Sequence, residues 1–286
     1  MLPAIQKQCE KFLSAKIIAT KQLSGGDINQ AYKITTAQGQ FFLKYNTASH
    51  AFAMFDTEAK GLELLAATKT AKIPDVIGVG ETKEGSFLLL EYIDSSYRQS
   101  GFWENFGQSL AKLHQESRSE FGLHFDNFIG ILPQTNRPKD NWTDYYVEAR
   151  LQPQIEMGFN DKLLNTKDLN GLESIFKKIP EICPEEVPAL IHGDLWSGNF
   201  MVGPKREVVL IDPSVSFSHR EMDLAMTQLF GGFAPEFYQA YHHFFPIENG
   251  FDQRVEIYQL YYLLVHLNLF GTGYLQAVRN IVKRFS

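Results

Sequence analysis

Residues 190–212 read LIHGDLWSGNFMVGPKREVVLID and give the strongest indication of the fold. An HGD triplet ends at Asp194, Asn199 follows five residues later, and Asp212 follows thirteen residues after the asparagine. The apolar run VVLI stands directly before Asp212 and is typical of a short buried strand. The sequence therefore predicts two carboxylates and one amide on a tight loop and on the strand beside it.

This spacing favours the catalytic half of a protein-kinase-like phosphotransferase. In such a site one aspartate, here Asp194, orients and deprotonates a hydroxyl, while Asn199 and Asp212 hold Mg²⁺ on a nucleotide. Phosphoryl transfer needs an in-line nucleophile and neutralised phosphate charge, but little covalent chemistry from the protein. Taken singly, each residue is explained equally well as a turn residue, a helix cap or a strand end. It is their joint spacing that favours the catalytic interpretation.

Two upstream residues match the other half of such a site. The run FFLK predicts a strand that ends at Lys44, and Glu58 follows fourteen residues later within a helical pattern over residues 51–67. A kinase fold places a strand lysine on the α and β phosphates of ATP and pairs it with a helix glutamate. Either residue alone is typical of a solvent-exposed charge, so it is their order ahead of the Asp–Asn–Asp set that favours a functional pair.

A glycine-containing turn lies before that strand, at Ser24, Gly25 and Gly26, between two strand-like segments. Backbone N–H groups in such a turn can cover phosphates, which makes the three residues candidates for nucleotide binding. The turn is neither a GxGxxG nor a Walker A motif, and an ordinary hairpin turn explains the same residues. Its position in the chain favours the nucleotide-binding role.

The apolar run over residues 86–93 is the strongest candidate for a buried strand. In a kinase fold the end of this strand binds adenine through backbone hydrogen bonds, so Glu91, Tyr92 and Ile93 are candidate adenine contacts. A plain buried strand is compatible with the same pattern. The polar residues 94–101 that follow predict a crossing between two lobes.

Helical patterns dominate the chain beyond residue 101, and we therefore predict an α+β, bilobal, protein-kinase-like fold. A small N-terminal lobe, residues 1–93, would contain a five-stranded antiparallel sheet and a helix and would bind the nucleotide. A larger, mainly helical C-terminal lobe, residues 94–286, would carry the catalytic and substrate-binding residues. Two histidines in apolar helical settings, His114 and His266, are interpreted as buried core residues with satisfied hydrogen bonds.

Composition and charge restrict the class of protein. The net charge of −6 argues against an extended nucleic-acid surface, which needs a basic footprint. Two cysteines, Cys9 and Cys183, are too few for a disulfide framework and lack metal-ligand spacing. Residues 1–16 mix apolar side chains with Gln, Lys and Glu, so we expect an amphipathic helix rather than a signal peptide or a membrane span. We expect a cytoplasmic monomer that binds neither nucleic acid nor membrane.

Several blocks of the sequence resemble the fructosamine kinase (ketosamine-3-kinase) family, and together they cover nearly the whole chain. They are LSGGDINQAY at 23–32, TEAKGL at 57–62, NFIG…PQ…N…W within 127–142, HGDLWSGN at 192–199, IDPSVSFSHREMDLAM at 211–226, LFGGF at 229–233 and YQLYYLLVHLNLFGTGY at 258–274. The HGDLWSGN block and the longer block SHREMDLAMTQLFGGF are specific to that family. Aminoglycoside phosphotransferases and choline kinases share only the sparser pattern of HGD, Asn and Asp.

The resemblance implies phosphorylation, with ATP and Mg²⁺, of a ketosamine, which is the adduct of an amine with a sugar such as glucose or ribose. The implied acceptor group is the 3-hydroxyl of a ribulosamine or fructosamine. The phosphorylated adduct breaks down and frees the amine, so the implied role is deglycation of amines or proteins. The resemblance also implies that Asp194 is the proton acceptor and that Asn199 and Asp212 are metal ligands, while Lys44 and Glu58 form the phosphate-binding pair.

By the same resemblance, Trp196, His219 and Arg220 are candidates for the acceptor pocket, although packing under the catalytic loop would also explain Trp196. His192 and Asp223 are expected to support the catalytic loop, because the equivalent helix aspartate of kinase-like folds accepts hydrogen bonds from that loop. Some family members carry a cysteine in the glycine-containing turn that is associated with redox control. This turn contains none, so that regulation is not expected here.

Two alternatives to a ketosamine kinase stay open at this point. The first is a kinase of the same fold that acts on an aminoglycoside, a choline-like alcohol or a simple sugar. The second is a non-catalytic, pseudokinase-like binding module, which would have no need of all five catalytic residue types. The sequence also leaves open whether the acceptor is a free metabolite or a glycated protein.

Overall fold

The N-terminal part of the chain folds into an antiparallel sheet with a helix on each face. The computed structural model describes residues 1–23 and 28–286. Its first elements are α1 (Pro3–Leu13), β1 (Ile17–Leu23), β2 (Gln30–Thr36), β3 (Gly39–Asn46), α2 (Ala51–Thr68), β4 (Val76–Thr82) and β5 (Gly85–Glu91). Within the described residues these strands form one five-stranded sheet in the order β1-β2-β3-β5-β4, and every pairing is antiparallel.

Strand β5 is buried on both faces, which explains its unbroken apolar sequence. Alternate side chains of a strand point to opposite faces of the sheet. Phe87 and Leu89 pack in the core beneath α1, whereas Leu88 and Leu90 pack in the core that α2 covers. Full burial of such a side chain stabilises the fold by about 1.5–3 kcal/mol. Both sets of contacts therefore fix the sheet between the two helices.

The expected amphipathic helix at the start of the chain is confirmed as α1. Its buried residues Ile5, Cys9 and Leu13 recur every four positions and cover one face of the sheet. Both cysteines of the chain, Cys9 and Cys183, are buried free thiols. Burial raises the pKa of each thiol to about 12. Neither thiol therefore has the thiolate character that reactive cysteines need.

The chain beyond the sheet is mainly helical. After a connection over residues 92–101, the helices are α3 (Phe102–Leu113), α4 (Trp142–Tyr146), α5 (Gln152–Asn160), α6 (Thr166–Phe176), α7 (Ile179–Ile182), α8 (Glu221–Leu229), α9 (Pro235–Phe244), α10 (Phe251–Phe270) and α11 (Leu275–Phe285). The predicted bilobal α+β fold is confirmed, and the predicted boundary at residue 93 lies in the connection. No helix in the described part of the chain is both long and apolar enough to cross a bilayer.

Residues 142–160 form one helical run with a π-helical turn inside it. That turn, Val147–Leu151, joins α4 to α5 and carries the buried Arg150. Single π-helical turns frequently occur at functional positions, because the extra residue redirects a side chain out of the regular helical pattern.

Three short antiparallel ladders bring the decisive loops together. They are β6 (Asn127–Ile129) with β7 (Leu132–Gln134), β9 (Phe200–Val202) with β10 (Val208–Leu210), and β8 (Ala189–Ile191) with β11 (Ser216–Ser218). The β9–β10 register pairs Phe200 with Leu210, so the ladder continues with a hydrogen bond from the N–H of Ile211 to the carbonyl of Asn199. Asn199 and Asp212 are thereby neighbours, although thirteen positions separate them in the sequence.

Candidate active site

A cavity of about 760 Å³ lies between the sheet and the helical part of the chain. Five residues predicted as catalytic or ligand-binding line it, namely Lys44, Glu58, Asp194, Asn199 and Asp212. They come from β3, α2, the loop after β8, the start of β9 and the end of β10. The structure thus brings together both halves of the site that sequence spacing predicted.

Lys44 is the residue that joins the two halves. It is paired across strands with Leu88, so its side chain leaves the sheet on the face covered by α2, and its Nζ lies 2.8 Å from Oε1 of Glu58. The same Nζ contacts Oδ1 of Asp212. Burial opposes the charge of Lys44, but the two carboxylates outweigh burial and raise its pKa. The ammonium group therefore stays charged across the ordinary pH range.

Asp194 and Asn199 form the centre of the catalytic loop. The Asn199 amide nitrogen donates to the Asp194 backbone carbonyl at 2.8 Å and to the carboxylate Oδ2 at 2.9 Å. Burial, with smaller contributions from the negative charges of Asp212 and Asp223, raises the pKa of Asp194 to about 7, although the hydrogen bond from Asn199 acts in the opposite direction. A carboxylate poised near neutral pH matches what a general base needs.

The segment that carries Asp212 is held close to the catalytic loop. Asp212 has a left-handed backbone conformation with φ of +54°, which is uncommon for a residue with a side chain. The N–H of Ser214 donates to the carbonyl of His192 at 2.9 Å. Gly193, with φ of +86°, faces Ser214 so closely that a Cβ would lie 2.0 Å from the Ser214 carbonyl oxygen. Only glycine fits there, because a side chain would push the two segments apart.

His192 and Asp223 lie behind this loop, where the sequence predicted supporting residues. The Asp223 carboxylate accepts from the N–H of His192 at 2.7 Å and from that of Gly193 at 2.8 Å. His114 contacts the same carboxylate at 3.2 Å through Nε2, so its interpretation as a hydrogen-bonded core histidine agrees with the structure. The His192 ring reaches the carbonyl of Ile211 at 2.9 Å. Burial lowers the pKa of His192, so this ring is neutral at pH 7.

The predicted adenine segment lines the same cavity. Glu91, Tyr92 and Ile93 all contribute to its lining. The Glu91 side chain is not directed at a ligand, because it pairs with Lys72 and accepts from the N–H of Asp75 at 3.2 Å. The backbone of residues 92–93 is therefore the part available for a base. The predicted phosphate turn, Ser24, Gly25 and Gly26, lies outside the described residues.

His219 and Arg220 do not line the cavity, and the expectation that they contact the acceptor is wrong. Arg220 is buried and makes a two-point ion pair with Glu186 at 2.8 and 2.7 Å. Its guanidinium also donates to the carbonyls of Phe245 and Pro246. His219 is buried against Trp142. A buried guanidinium needs a carboxylate and carbonyl partners, and Arg220 finds them on the side away from the cavity.

Trp196 does line the cavity, with residues that the sequence did not single out. It is 38% exposed, and its ring lies 6.4 Å from that of Phe230. Phe230 lies 4.7 Å from the ring of His266, which in turn is 5.5 Å from Phe270. We call Trp196, Phe230, His266 and Phe270 the aromatic wall; Trp196, His266 and Phe270 line the cavity, and Phe230 packs against Trp196 and His266. His266 was interpreted as a core residue, but it is half-buried at the cavity surface, and burial lowers its pKa.

Fold and site together define a class of protein. A five-stranded sheet with a lysine–glutamate pair faces a catalytic loop with an Asp–Asn–Asp set, as in phosphotransferases of the protein-kinase-like fold. The sequence profile of the fructosamine kinase family matches residues 1–286. The chain belongs to the fructosamine kinase family and is an ATP-dependent phosphotransferase that acts on a hydroxyl group.

Relatives along the whole chain agree with this assignment. A protein named probable ketoamine kinase from Enterococcus faecium is 39% identical over 278 residues, covering 96% of each chain. A ketosamine-3-kinase of Mus musculus is 33% identical over 300 residues, covering 95% of this chain and 96% of its own. The chloroplastic protein-ribulosamine 3-kinase of Arabidopsis thaliana is 34% identical over 275 residues, covering 94% of this chain and 83% of its own.

Solved structures give the same result for the fold. The crystal structure of a protein assigned as a fructosamine-3-kinase from Haemophilus somnus superposes with a TM-score of 0.88 at 28% identity, covering 98% of this chain and 96% of its own. The aminoglycoside phosphotransferase APH(4)-Ia superposes with a TM-score of 0.66 at 17% identity, covering 99% and 98% of the two chains. At that identity the second likeness concerns the fold alone.

Proposed function

We propose that this enzyme transfers the γ-phosphoryl group of ATP to the 3-hydroxyl of a ketosamine such as a ribulosamine or fructosamine, and so promotes deglycation of amines or proteins. The observation that carries the proposal is the convergence of Lys44, Glu58, Asp194, Asn199 and Asp212 in one cavity of a chain that matches this family over its whole length. We further propose a cytoplasmic, monomeric enzyme that takes a free ketosamine or a glycated protein as its acceptor.

Asp194 is the proposed catalytic base. Its carboxylate lines the cavity, and its pKa is raised to about 7, chiefly by burial. An acceptor hydroxyl within hydrogen-bond distance of this carboxylate would be oriented toward the phosphate and would lose its proton as the new bond forms. The hydrogen bond from Asn199 fixes the direction in which the carboxylate points.

The nucleotide is proposed to lie along the sheet side of the cavity. Lys44, held by Glu58, would neutralise the α and β phosphates. The backbone near Tyr92 and Ile93 would donate hydrogen bonds to adenine and accept hydrogen bonds from it. The turn at residues 24–26 would cover the phosphates with its N–H groups.

Asn199 and Asp212 are the residues that would hold Mg²⁺, and their chemistry fits that ion. The amide nitrogen of Asn199 makes both of its hydrogen bonds to Asp194, and among the described residues no group donates to its Oδ1. The Asp212 carboxylate is partly exposed at the cavity. Amide and carboxylate oxygens are the ligands that Mg²⁺ prefers. When bound, the ion would neutralise charge on the phosphates.

The composition of the cavity favours a ketosamine over an aminoglycoside. Its acidic residues in the described part of the chain are Glu58, Glu91, Asp194 and Asp212, and each already has a partner or a proposed role in the kinase site. A polycationic aminoglycoside would need further carboxylates. The aromatic wall instead offers ring faces to a sugar and to the single ammonium group of a ketosamine.

The test is a comparison of kcat/KM for a ribulosamine, a fructosamine, kanamycin and choline at the same ATP and Mg²⁺ concentrations. We expect transfer to at least one ketosamine with an efficiency above those of the other acceptors by up to about 10⁴, because unpaired polar groups in the site reject the wrong acceptor. A higher efficiency on kanamycin or choline than on every ketosamine would contradict the proposal. ATP binding without transfer to any acceptor would favour a binding module.

A further inference from the structure

The hairpin formed by β6 and β7, residues 127–134, touches both sides of the cavity, although the proposed chemistry gives it no role. Asn127, Phe128, Ile129 and Gly130 contribute to the lining. The Phe128 ring stacks on that of His50, at the start of α2, with 6.4 Å between centroids. A Cβ on Gly130 would lie 3.1 Å from Leu269 of α10 and 3.4 Å from Ile28 before β2. The hairpin therefore contacts the sheet side and the helical side at once.

Three hydrogen bonds tie this hairpin to the segment directly after Asp212. Asn127 donates from Nδ2 to the carbonyl of Val215 at 2.9 Å. Gln134 donates from Nε2 to the carbonyl of Ser214 at 3.3 Å. In the reverse direction, the Ser214 hydroxyl donates to the carbonyl of Phe128 at 2.6 Å. The backbone that follows Asp212 is thus hydrogen-bonded to the hairpin as well as to the catalytic loop.

A buried polar network anchors the hairpin to the helices below it. Gln134 accepts from the Tyr261 hydroxyl of α10 at 2.6 Å and donates to Oδ1 of Asn127 at 2.8 Å. Asn136 donates to the same Asn127 oxygen at 2.9 Å and accepts from Arg150, on the π-helical turn, at 2.7 Å. The side chains of this network are buried. A buried polar group that loses its hydrogen-bond partner destabilises the fold. The network therefore fixes the hairpin in one position.

We propose that the β6–β7 hairpin holds Asp212 in the position in which its carboxylate would bind Mg²⁺. Asn127 and Gln134 are then positioning residues for the cation and the nucleotide. Asp212 has a left-handed backbone, which persists only where the surrounding structure enforces it. The residues before and after Asp212 are hydrogen-bonded to the catalytic loop, and those after it are also hydrogen-bonded to the hairpin. The inference rests on the proposed role of Asp212 and extends it to residues outside the kinase motifs.

The test is the Mg²⁺ concentration that gives half-maximal binding of a fluorescent, non-hydrolysable ATP analogue, a measurement that needs no turnover. Gln134→Met keeps the side-chain volume but cannot donate to Ser214 or Asn127. We expect it to raise this concentration by roughly 10–100-fold, the usual cost of removing a residue that orients a metal ligand, with the acceptor KM changed much less. Ser214→Ala, which removes one hydrogen bond and is not expected to impair folding, should shift it in the same direction by a smaller factor.

A matched control separates positioning from general loss of stability. Asn268→Leu also removes two amide hydrogen bonds, to the backbone and side chain of Gln154, and neither bond involves the hairpin or the Asp212 segment. It should lower the melting temperature without moving the Mg²⁺ dependence. If Gln134→Met and Ser214→Ala match Asn268→Leu in Mg²⁺ dependence while Asp212→Asn is inactive, the positioning of Asp212 by the hairpin is refuted and the proposed function stands. If Asp212→Asn keeps wild-type Mg²⁺ dependence, the proposed metal site itself is wrong.

Discussion

We call the part of the cavity with the proposed phosphoryl-transfer residues the transfer side, and the part with the aromatic wall, where we propose that the acceptor binds, the acceptor side. The two sides differ in what holds their side chains. On the transfer side, Lys44, Glu58, Asp194 and Asn199 are each fixed by charged or amide partners within 3 Å. On the acceptor side, the aromatic wall is partly exposed, with Phe270 at 53%, and its rings make edge and tilted contacts at 4.7–6.4 Å. The first arrangement suits a reaction that needs fixed geometry, and the second suits recognition of acceptors that differ in their amine.

The largest effect is expected on the transfer side, from loss of the base. Asp194→Asn keeps the shape of the side chain but cannot accept a proton. We expect kcat to fall by roughly 10²–10⁴, the usual range for a positioned general base. Affinity for a non-hydrolysable ATP analogue should stay near the wild-type value. Near-wild-type turnover by this variant would rule out Asp194 as the base.

A second prediction concerns Arg220, which belongs to neither side of the cavity. Arg220→Met leaves Glu186 without its buried partner, and we expect the free energy of unfolding to fall by about 3 kcal/mol. The double variant with Glu186→Gln should recover part of that loss, because no unpaired charge is left. Denaturant unfolding gives these values. A selective increase in the acceptor KM, without loss of stability, would instead support the original expectation that Arg220 contacts the acceptor.

A third prediction concerns the pH dependence of kcat/KM for the acceptor. Because the pKa of Asp194 is raised to about 7, the carboxyl is protonated below that pH and cannot act as a base. The kcat/KM for the acceptor should therefore fall about tenfold for each pH unit below about 7 and level off above it. The residual rate of Asp194→Asn should lack this limb. An acid limb shared by both enzymes would assign it to another group.

The smallest effect is expected on the acceptor side. His266→Ala removes one ring of the aromatic wall, and we expect the ketosamine KM to rise by about three- to tenfold, with the ATP KM unchanged. Phe159→Ala is a matched control, because it removes an exposed aromatic ring of α5 that does not line the cavity. Equal effects of the two variants on the ketosamine KM would contradict a role of the aromatic wall in ketosamine binding.

The Asp–Asn–Asp part of the transfer side could be predicted from the sequence because its spacing is set locally. Asp194, Asn199 and Asp212 lie on one loop and one hairpin, and the distance between them along the chain is fixed by the length of that hairpin. The unbroken apolar run of β5 likewise follows from its burial on two faces. These are short-range consequences of chain geometry.

The acceptor side depends on contacts between distant parts of the chain. Phe230 and His266 meet only because α10 packs against α8, and nothing near His266 in the sequence indicates that its ring reaches the cavity. The spacing of four between His266 and Phe270 indicates only that these two rings share a face of α10. The expectation that Arg220 contacts the acceptor comes from the family resemblance, and the sequence around Arg220 does not reveal its partner Glu186, which lies thirty-four residues upstream.

The position of the phosphate on the product decides whether the γ-phosphoryl group of ATP is transferred to the 3-hydroxyl of a ketosamine, as we propose. The measurement is a two-dimensional phosphorus–proton NMR correlation on the product formed from ATP, Mg²⁺ and a ribulosamine or fructosamine. We expect a phosphate coupled to the proton on carbon 3 of the sugar, and no such product with Asp194→Asn. A phosphate on another hydroxyl, or release of inorganic phosphate alone, would contradict it.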